Sequence, residues 1–263
     1  MKKSKREAIV ISDREPGLPY SKGLMAGQMM VTGLSPYRAY QAAERIEDLL
    51  LERNETTISN EELNALAGEV LEDLAGERYA KNFVRWQRVA QLDVPIVIVI
   101  GGATGVGKST IATQIAARMG IVRVVPTDAV REVMRALFSR ELMPTLYTSS
   151  FDAGEALRES SSRQAERTVV GFREQTSAVA LGVRKLIERA AMEGTSTIIE
   201  GAHVVPGFLD TSTFEDGVLL VPLVVVVEDE DVHRNNFVVR SSDSAARPMG
   251  RYLENFENIR RVQ

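Results

Sequence analysis

Apolar positions recur with two different periods along this chain, and the change falls near residue 90. Before it the spacing is helical. Ser21–Met30 reads as one helix, and a second runs from Pro36 to Arg53 with apolar side chains at 39, 42, 43, 46, 49 and 50. Gly33-Leu34-Ser35-Pro36 separates them. Ser35 is placed as the N-cap and Pro36 at the first helical position, where a missing N–H does no harm. Ser59 opens a third helix, and Glu62 completes a capping box with it. Leu63, Leu66, Ala67, Val70, Leu71 and Leu74 give that helix its stripe, and a fourth covers about Ala80–Ala90. The strand candidate of this region is Ala8–Ile11, closed by the turn signal Ser12-Asp13-Arg14-Glu15-Pro16-Gly17. The pattern predicts a small, mostly helical unit over residues 1–90 with its own core.

From residue 91 onward, strands alternate with helices. Residues 94–100 are a continuous β-branched run, the mark of a strand buried on both faces. Further strands are expected at Ile121–Val125, Ser196–Ile199 and Leu223–Val227. A long helical region runs from about Arg131 to Met192, broken near Met143-Pro144 and at Thr148–Asp152. The stretch from His233 to Gln263 is polar and helical, with a break at Arg247-Pro248. This alternation predicts an α/β unit over 91–263, a doubly wound parallel sheet with crossover helices. The most apolar window, Val218–Val227, is ten residues long and contains Pro222. It reads as a buried strand, too short to span a membrane.

Between the first strand and its helix lies Gly102-Ala103-Thr104-Gly105-Val106-Gly107-Lys108-Ser109, which fits the phosphate-binding pattern G-x-x-x-x-G-K-[ST]. The following helix has apolar residues at 111, 112, 115, 116 and 119 and stops at Gly120. Glycines let backbone N–H groups turn inward around phosphate oxygens, and the helix N-terminus adds partial positive charge. Residues 102–109 with Thr110 are therefore the expected ATP site. Lys108 would reach the β- and γ-phosphates, and the Ser109 hydroxyl would bind Mg²⁺.

Composition narrows the picture. A net charge of −4 argues against a nucleic-acid surface. The absence of cysteine removes disulfides, thiol nucleophiles and cysteine metal sites. With no signal peptide visible, a cytoplasmic protein without membrane attachment is expected, and a homo-oligomer is compatible with the sequence.

Ligands of open parallel sheets bind at the carboxyl ends of the strands. After the second strand come Asp128, Arg131 and Arg135. Asp128 stands where a phosphotransferase places a base or a magnesium-orienting carboxylate, and it equally suits a helix N-cap. Arg131 and Arg135 are four apart and share a helix face. They either clamp an anionic substrate or line a solvated surface. After the third strand, Glu200 is a candidate magnesium ligand, and His203 either binds a substrate anion or is structural. After the fourth strand, an arginine-dotted helical hairpin suggests a lid, with a solvated helix pair as the alternative. Arg240 is the candidate there for the transferring phosphoryl group, and Arg234 for the substrate.

Several segments together resemble the 2-phosphoglycerate kinase family. They are Ile100–Thr110, Thr127–Arg135, Glu141–Tyr147 with Ser149-Ser150, Ile198–Gly207 and Arg251–Phe256. The N-terminal unit resembles the ATP-cone domain through Tyr20-Ser21-Lys22-Gly23-Leu24-Met25-Ala26. The resemblance implies a P-loop kinase that moves the ATP γ-phosphate to the 3-hydroxyl of 2-phosphoglycerate, giving 2,3-diphosphoglycerate. Asp128 would serve as base or orienting group, and Arg131, Arg135 and His203 would hold the acceptor's phosphate and carboxylate. The family chain continues into another strand and helix, whereas this sequence stops at Gln263, so the sheet is expected to lack its last strand. Two other readings stay open, a nucleotide-binding regulatory protein and a P-loop kinase for another anionic small molecule.

Overall fold

The computed structural model describes residues 9–12, 17–157, 164–209, 217–242 and 249–263. The chain divides into two compact units, Met1–Asp93 and Val94–Gln263.

In the first unit, β1 (Val10–Ile11) and β2 (Leu18–Pro19) precede α1 (Lys22–Met30) and α2 (Pro36–Glu52). β3 (Thr57–Ile58), α3 (Asn60–Ala75) and α4 (Glu77–Ala90) follow. The caps sit where the local chemistry puts them. Ser35 accepts from the Arg38 N–H, and Ser59 and Glu62 form the reciprocal capping box. Met29, Ile46, Leu50, Leu71 and Phe83 are fully buried in one core. The mostly helical expectation misses a small sheet of order β2-β1-β3. Its strands are two residues long, too short for alternation to show.

The second unit begins with β4 (Ile96–Gly101), α5 (Lys108–Met119), β5 (Arg123–Pro126) and α6 (Thr127–Leu137). Two short 3₁₀ turns, Pro144–Tyr147 and Ala153–Ala156, lead to the long α7 (Gln164–Glu193). β6 (Thr197–Glu200), β7 (Leu219–Val224), α8 (Glu230–Ser242), α9 (Met249–Glu254) and α10 (Phe256–Val262) complete it. The sheet order is β5-β6-β4-β7, and all three pairings are parallel. β4 therefore has a strand on each side, which accounts for its unbroken apolar run. Val97 and Val99 pack with Val179, Val183 and Ile187 of α7, while Ile98 and Ile100 pack with Ala112 and Ala116 of α5. This is the doubly wound α/β arrangement, and its described sheet ends at β7.

β7 is displaced from the expected Leu223–Val227 to Leu219–Val224. The Leu219 N–H donates to the Pro95 carbonyl and the Val225 N–H to the Gly101 carbonyl, both at 2.9 Å. Residues of that parity point their N–H groups at β4, so position 222 faces away from it. Pro222 is thus accommodated inside the strand, because the pairing with β4 does not use the donor it lacks. No helix among the described residues is long and apolar enough to cross a membrane.

Candidate active site

β4 runs into the glycine-rich loop, and the loop into α5. A Cβ on Gly102 would lie 2.3 Å from the Val225 carbonyl oxygen, and one on Gly105 would lie 2.3 Å from the Phe237 ring. Both glycines also hold positive φ, so a side chain at either place would strain the loop and push its support away. Ala103 and Val106 are buried in a core shared with Phe151, Phe237, Phe256 and Ile259. The loop is thus anchored by its small apolar residues and leaves its backbone and Lys108 to face a cavity of about 500 Å³.

Thr104, Gly105, Lys108 and Ser109 line one end of that cavity. Lys108 is buried, with its Nζ donating to the Ala103 carbonyl at 2.6 Å. Of the expected ATP-site residues, Gly102, Ala103, Val106, Gly107 and Thr110 do not appear in the lining. Asp128 and Arg131 from α6 and Glu200 from the end of β6 stand around the rest. The far wall is made by Ser149, Ser150, Phe151 and Tyr252. Three strands thus deliver their carboxyl-end residues to one place, as a parallel sheet does.

The Ser109 hydroxyl donates to Glu200 Oε1 at 2.9 Å. An octahedral Mg²⁺ with oxygen ligands at about 2.1 Å has neighbouring ligands about 3 Å apart. These two oxygens therefore fit adjacent positions around such an ion. The described residues hold no cluster of three or more His, Cys, Asp or Glu able to ligate a metal.

Asp128 is the second residue of α6 and caps nothing. The N-cap is Pro126, which makes no side-chain cap. The Asp128 side chain is 70% exposed and lies 3.4 Å from Arg131 Nη2. Arg131 is largely buried and donates from Nη1 to the Thr148 carbonyl at 2.9 Å. Its Nε is buried without a partner.

The other cationic candidates go elsewhere. Arg135 does not line the cavity. Its guanidinium lies 4.9 Å from the Tyr147 ring centre and donates to Glu132 at 2.7 Å. Tyr147 donates in turn to the Arg135 and Phe138 carbonyls, so this arginine belongs to the packing of the loop after α6. Arg234 is exposed and sits 3.9 Å above the Phe256 ring, outside the cavity lining. Arg240 falls on α8, but its side chain lies outside the described residues, as do Arg247 and Pro248. Lys22 pairs with Glu47 at 3.0 Å.

His203 is no surface ligand. It is fully buried beneath the cavity, stacked on Phe172, with Nδ1 2.9 Å from the Thr127 hydroxyl and Nε2 2.9 Å from Gln175 Oε1. Burial pushes its pKa down to about 4, with Arg131 and Lys108 adding to the effect against Asp128. A neutral ring with both nitrogens engaged inside the protein cannot hold a substrate anion.

Sequence reasoning misses the residues that grip the loop from α8. The His233 Nε2–H donates to the Thr104 carbonyl at 2.8 Å, and Asn236 donates to the Gly105 carbonyl at 3.0 Å. Phe237 packs on the same loop. The three occupy one face at i, i+3 and i+4, a spacing visible in the sequence but masked by the charged residues around it. Arg251, one of the arginines of the expected lid, has a more specific place. It donates to Ser149 Oγ at 2.8 Å and to Asp152 at 2.7 Å, tying α9 and the lining Tyr252 to the far wall.

No family model matches the chain, and no solved structure matches it. Curated proteins named 2-phosphoglycerate kinase do. The one from Methanococcus maripaludis is 38% identical over 97% of this chain and 81% of its own length. That from Methanothermobacter thermautotrophicus is 39% identical over 96% of this chain and 82% of its own length. The Methanopyrus kandleri protein is 36% identical over 99% and 79% respectively.

Proposed function

The chain belongs to the 2-phosphoglycerate kinase family, and from that premise we propose that it transfers the γ-phosphate of ATP to the 3-hydroxyl of 2-phosphoglycerate. The product is 2,3-diphosphoglycerate. The observation that carries the reading is the single cavity in which Lys108 and Ser109 face Asp128, Arg131 and Glu200. A nucleotide-sensing protein needs the first pair. The carboxylate and guanidinium on the opposite wall suit an acceptor with a hydroxyl to orient and an anion to hold.

Lys108 and the loop amides hold the β- and γ-phosphates, with the α5 N-terminus adding its dipole. Ser109 and Glu200 would hold Mg²⁺, which when bound would neutralise charge on the phosphates. Asp128 orients the acceptor hydroxyl and takes its proton. The hydroxyl oxygen forms the new bond to phosphorus as the bond to the departing ADP oxygen breaks. Arg131 takes an anionic group of the acceptor, helped by the hydroxyls of Ser149, Ser150 and Tyr252 on the same cavity wall. The catalysis rests on positioning and charge neutralisation. The nucleotide role of the N-terminal unit stays a separate proposal, and its Lys22 pairs with Glu47.

Phosphorus NMR of the protein with Mg²⁺-ATP and 2-phosphoglycerate tests the assignment. The expected result is ADP with a molecule carrying two phosphomonoester signals. ATP consumption without that product, or no consumption at all, would overturn it.

A further inference from the structure

Gln175 of α7 is fully buried, and both ends of its amide are engaged. Its Nε2 donates to the Thr145 and Thr148 carbonyls, the latter at 3.1 Å. Carbonyls only accept, so the amide orientation is fixed and Oε1 is the atom facing His203 Nε2 at 2.9 Å. That oxygen also only accepts, so Nε2 of His203 carries the hydrogen. In the neutral ring Nδ1 is then an acceptor and receives the Thr127 hydroxyl at 2.9 Å. Thr127 is the first residue of α6, and Arg131 lies one turn further on. Arg131 Nη1 donates to the Thr148 carbonyl at 2.9 Å, the carbonyl that Gln175 already holds. The circuit closes, from Thr127 through α6 to Arg131, Thr148, Gln175, His203 and back.

Every member of this circuit except Gln175 lines the cavity or adjoins a residue that does. Thr127 precedes Asp128, Thr148 precedes Ser149 and Ser150, and His203 follows Glu200, Gly201 and Ala202. Those walls come from α6, from the turn after Pro144–Tyr147, and from the loop after β6. They are far apart in sequence, and this hydrogen-bonded circuit links all three through side chains. The Gly201 position is fixed against the same group, since a Cβ there would lie 1.8 Å from Thr127 Oγ1.

We propose that Gln175 is a positioning residue for the acceptor, setting Arg131 against the Ser109–Glu200 side through the shared Thr148 carbonyl without touching substrate. The proposal rests on the kinase reading above. A buried network of this kind is cooperative, so loss of its centre releases every member. Displacement of a reacting group by about 1 Å costs on the order of a hundredfold in rate.

The test compares Gln175→Met, which keeps the volume and removes both functions, with Arg131→Gln and with the double variant. Gln175→Met is expected to lower kcat/KM for 2-phosphoglycerate by about thirtyfold while the Kd for ATP changes less than about twofold. The double variant should lose little more than Arg131→Gln alone, because the two act through one contact. Multiplying losses, or an equal loss in ATP affinity, would overturn the proposal and leave Gln175 a plain core residue. Should Gln175→Met not fold, the pair Thr127→Val and Thr127→Ser decides at the other end of the circuit. Valine should reproduce the acceptor defect and serine should restore activity; equal behaviour of the two would overturn it. If the unaltered protein yields no product, the kinase reading fails by itself. Calorimetric affinity for 2-phosphoglycerate and the ¹⁵N spectrum of His203 then judge the circuit. A weakened affinity with loss of the Nε2–H signature in Gln175→Met supports it, and no change in either overturns it.

Discussion

The two ends of the cavity are built on opposite plans. The proposed phosphate end comes from one unbroken stretch, residues 102–109, whose shape is written into its own glycines, with Glu200 bonded to its Ser109. The proposed acceptor end is gathered from Asp128, Arg131, Ser149, Ser150 and Tyr252, which come from three separate stretches of the chain. The difference teaches where each kind of damage should appear. Lesions at the phosphate end should strike turnover itself, and lesions at the acceptor end should be felt chiefly through the acceptor. Lys108→Ala breaks the first plan. It should lower turnover by at least about a hundredfold, since the proposed role of the lysine is to meet the charge on the transferring group. Steady-state rates with saturating ATP and 2-phosphoglycerate check it, and unchanged turnover would remove the phosphate end from the mechanism.

Arg131→Gln tests the second plan. Charge-assisted hydrogen bonds to a buried guanidinium are worth about 1.5–3 kcal/mol, which corresponds to roughly tenfold to a hundredfold in kcat/KM for the acceptor. The KM for ATP should stay within about twofold of the original. A variant that loses ATP affinity as strongly as acceptor affinity would show that the two ends are not separable.

The same contrast explains what could be read in advance. Caps and the phosphate loop are short-range features, so Ser35 with Pro36, Ser59 with Glu62, and residues 102–109 were legible from neighbours a few positions away. The acceptor end depends on partners that no local pattern announces. Arg131 and Arg135 share a helix face, yet their long side chains part company. One reaches Thr148 and Asp128, and the other reaches Tyr147 and Glu132. Tyr147 ends the short 3₁₀ turn Pro144–Tyr147 and Thr148 follows it, a stretch with no periodicity to place it. His203 follows a strand-end carboxylate and so resembles a ligand, but Gln175 from the distant α7 meets it inside the core. β7 was misplaced for a related reason. Pro222 discourages a strand until its nitrogen is known to face away from β4.

His203 also gives the comparison a pH axis. In the folded protein burial keeps it neutral down to about pH 4, whereas in an unfolded chain it gains a proton near the ordinary value of about 6.5. Between those values the unfolded state binds more protons. Stability is therefore full above about pH 6.5, falls as pH drops through that value, and levels off below about 4. For this residue the loss between pH 7 and pH 5 is about 2 kcal/mol. Urea unfolding of the protein and of His203→Gln isolates it, because the carboxylates are common to both. The stability gap between them should narrow by that amount as pH falls. A gap that stays constant would mean that the ring is protonated in place and that its two hydrogen bonds are not as described.

The smallest effects are expected where sequence reasoning placed substrate contacts and the structure places packing. Arg135→Gln and Arg234→Gln remove guanidiniums that rest on Tyr147 and Phe256. Cation–π contacts at such sites contribute about 0.5–1 kcal/mol, so each variant should lose about that much stability. Turnover and both KM values should stay within about twofold. Arg135 sharpens the point because it stands one helical turn from Arg131. If Arg135→Gln left activity intact while Arg131→Gln did not, the acceptor end would be shown to depend on which carbonyls and rings a side chain meets, not on the helix face it leaves. A tenfold loss in either variant would mean that α6 or α8 turns its outer arginines inward during the reaction. The acceptor end would then be completed by movement, and its static walls would describe only the open state of the enzyme.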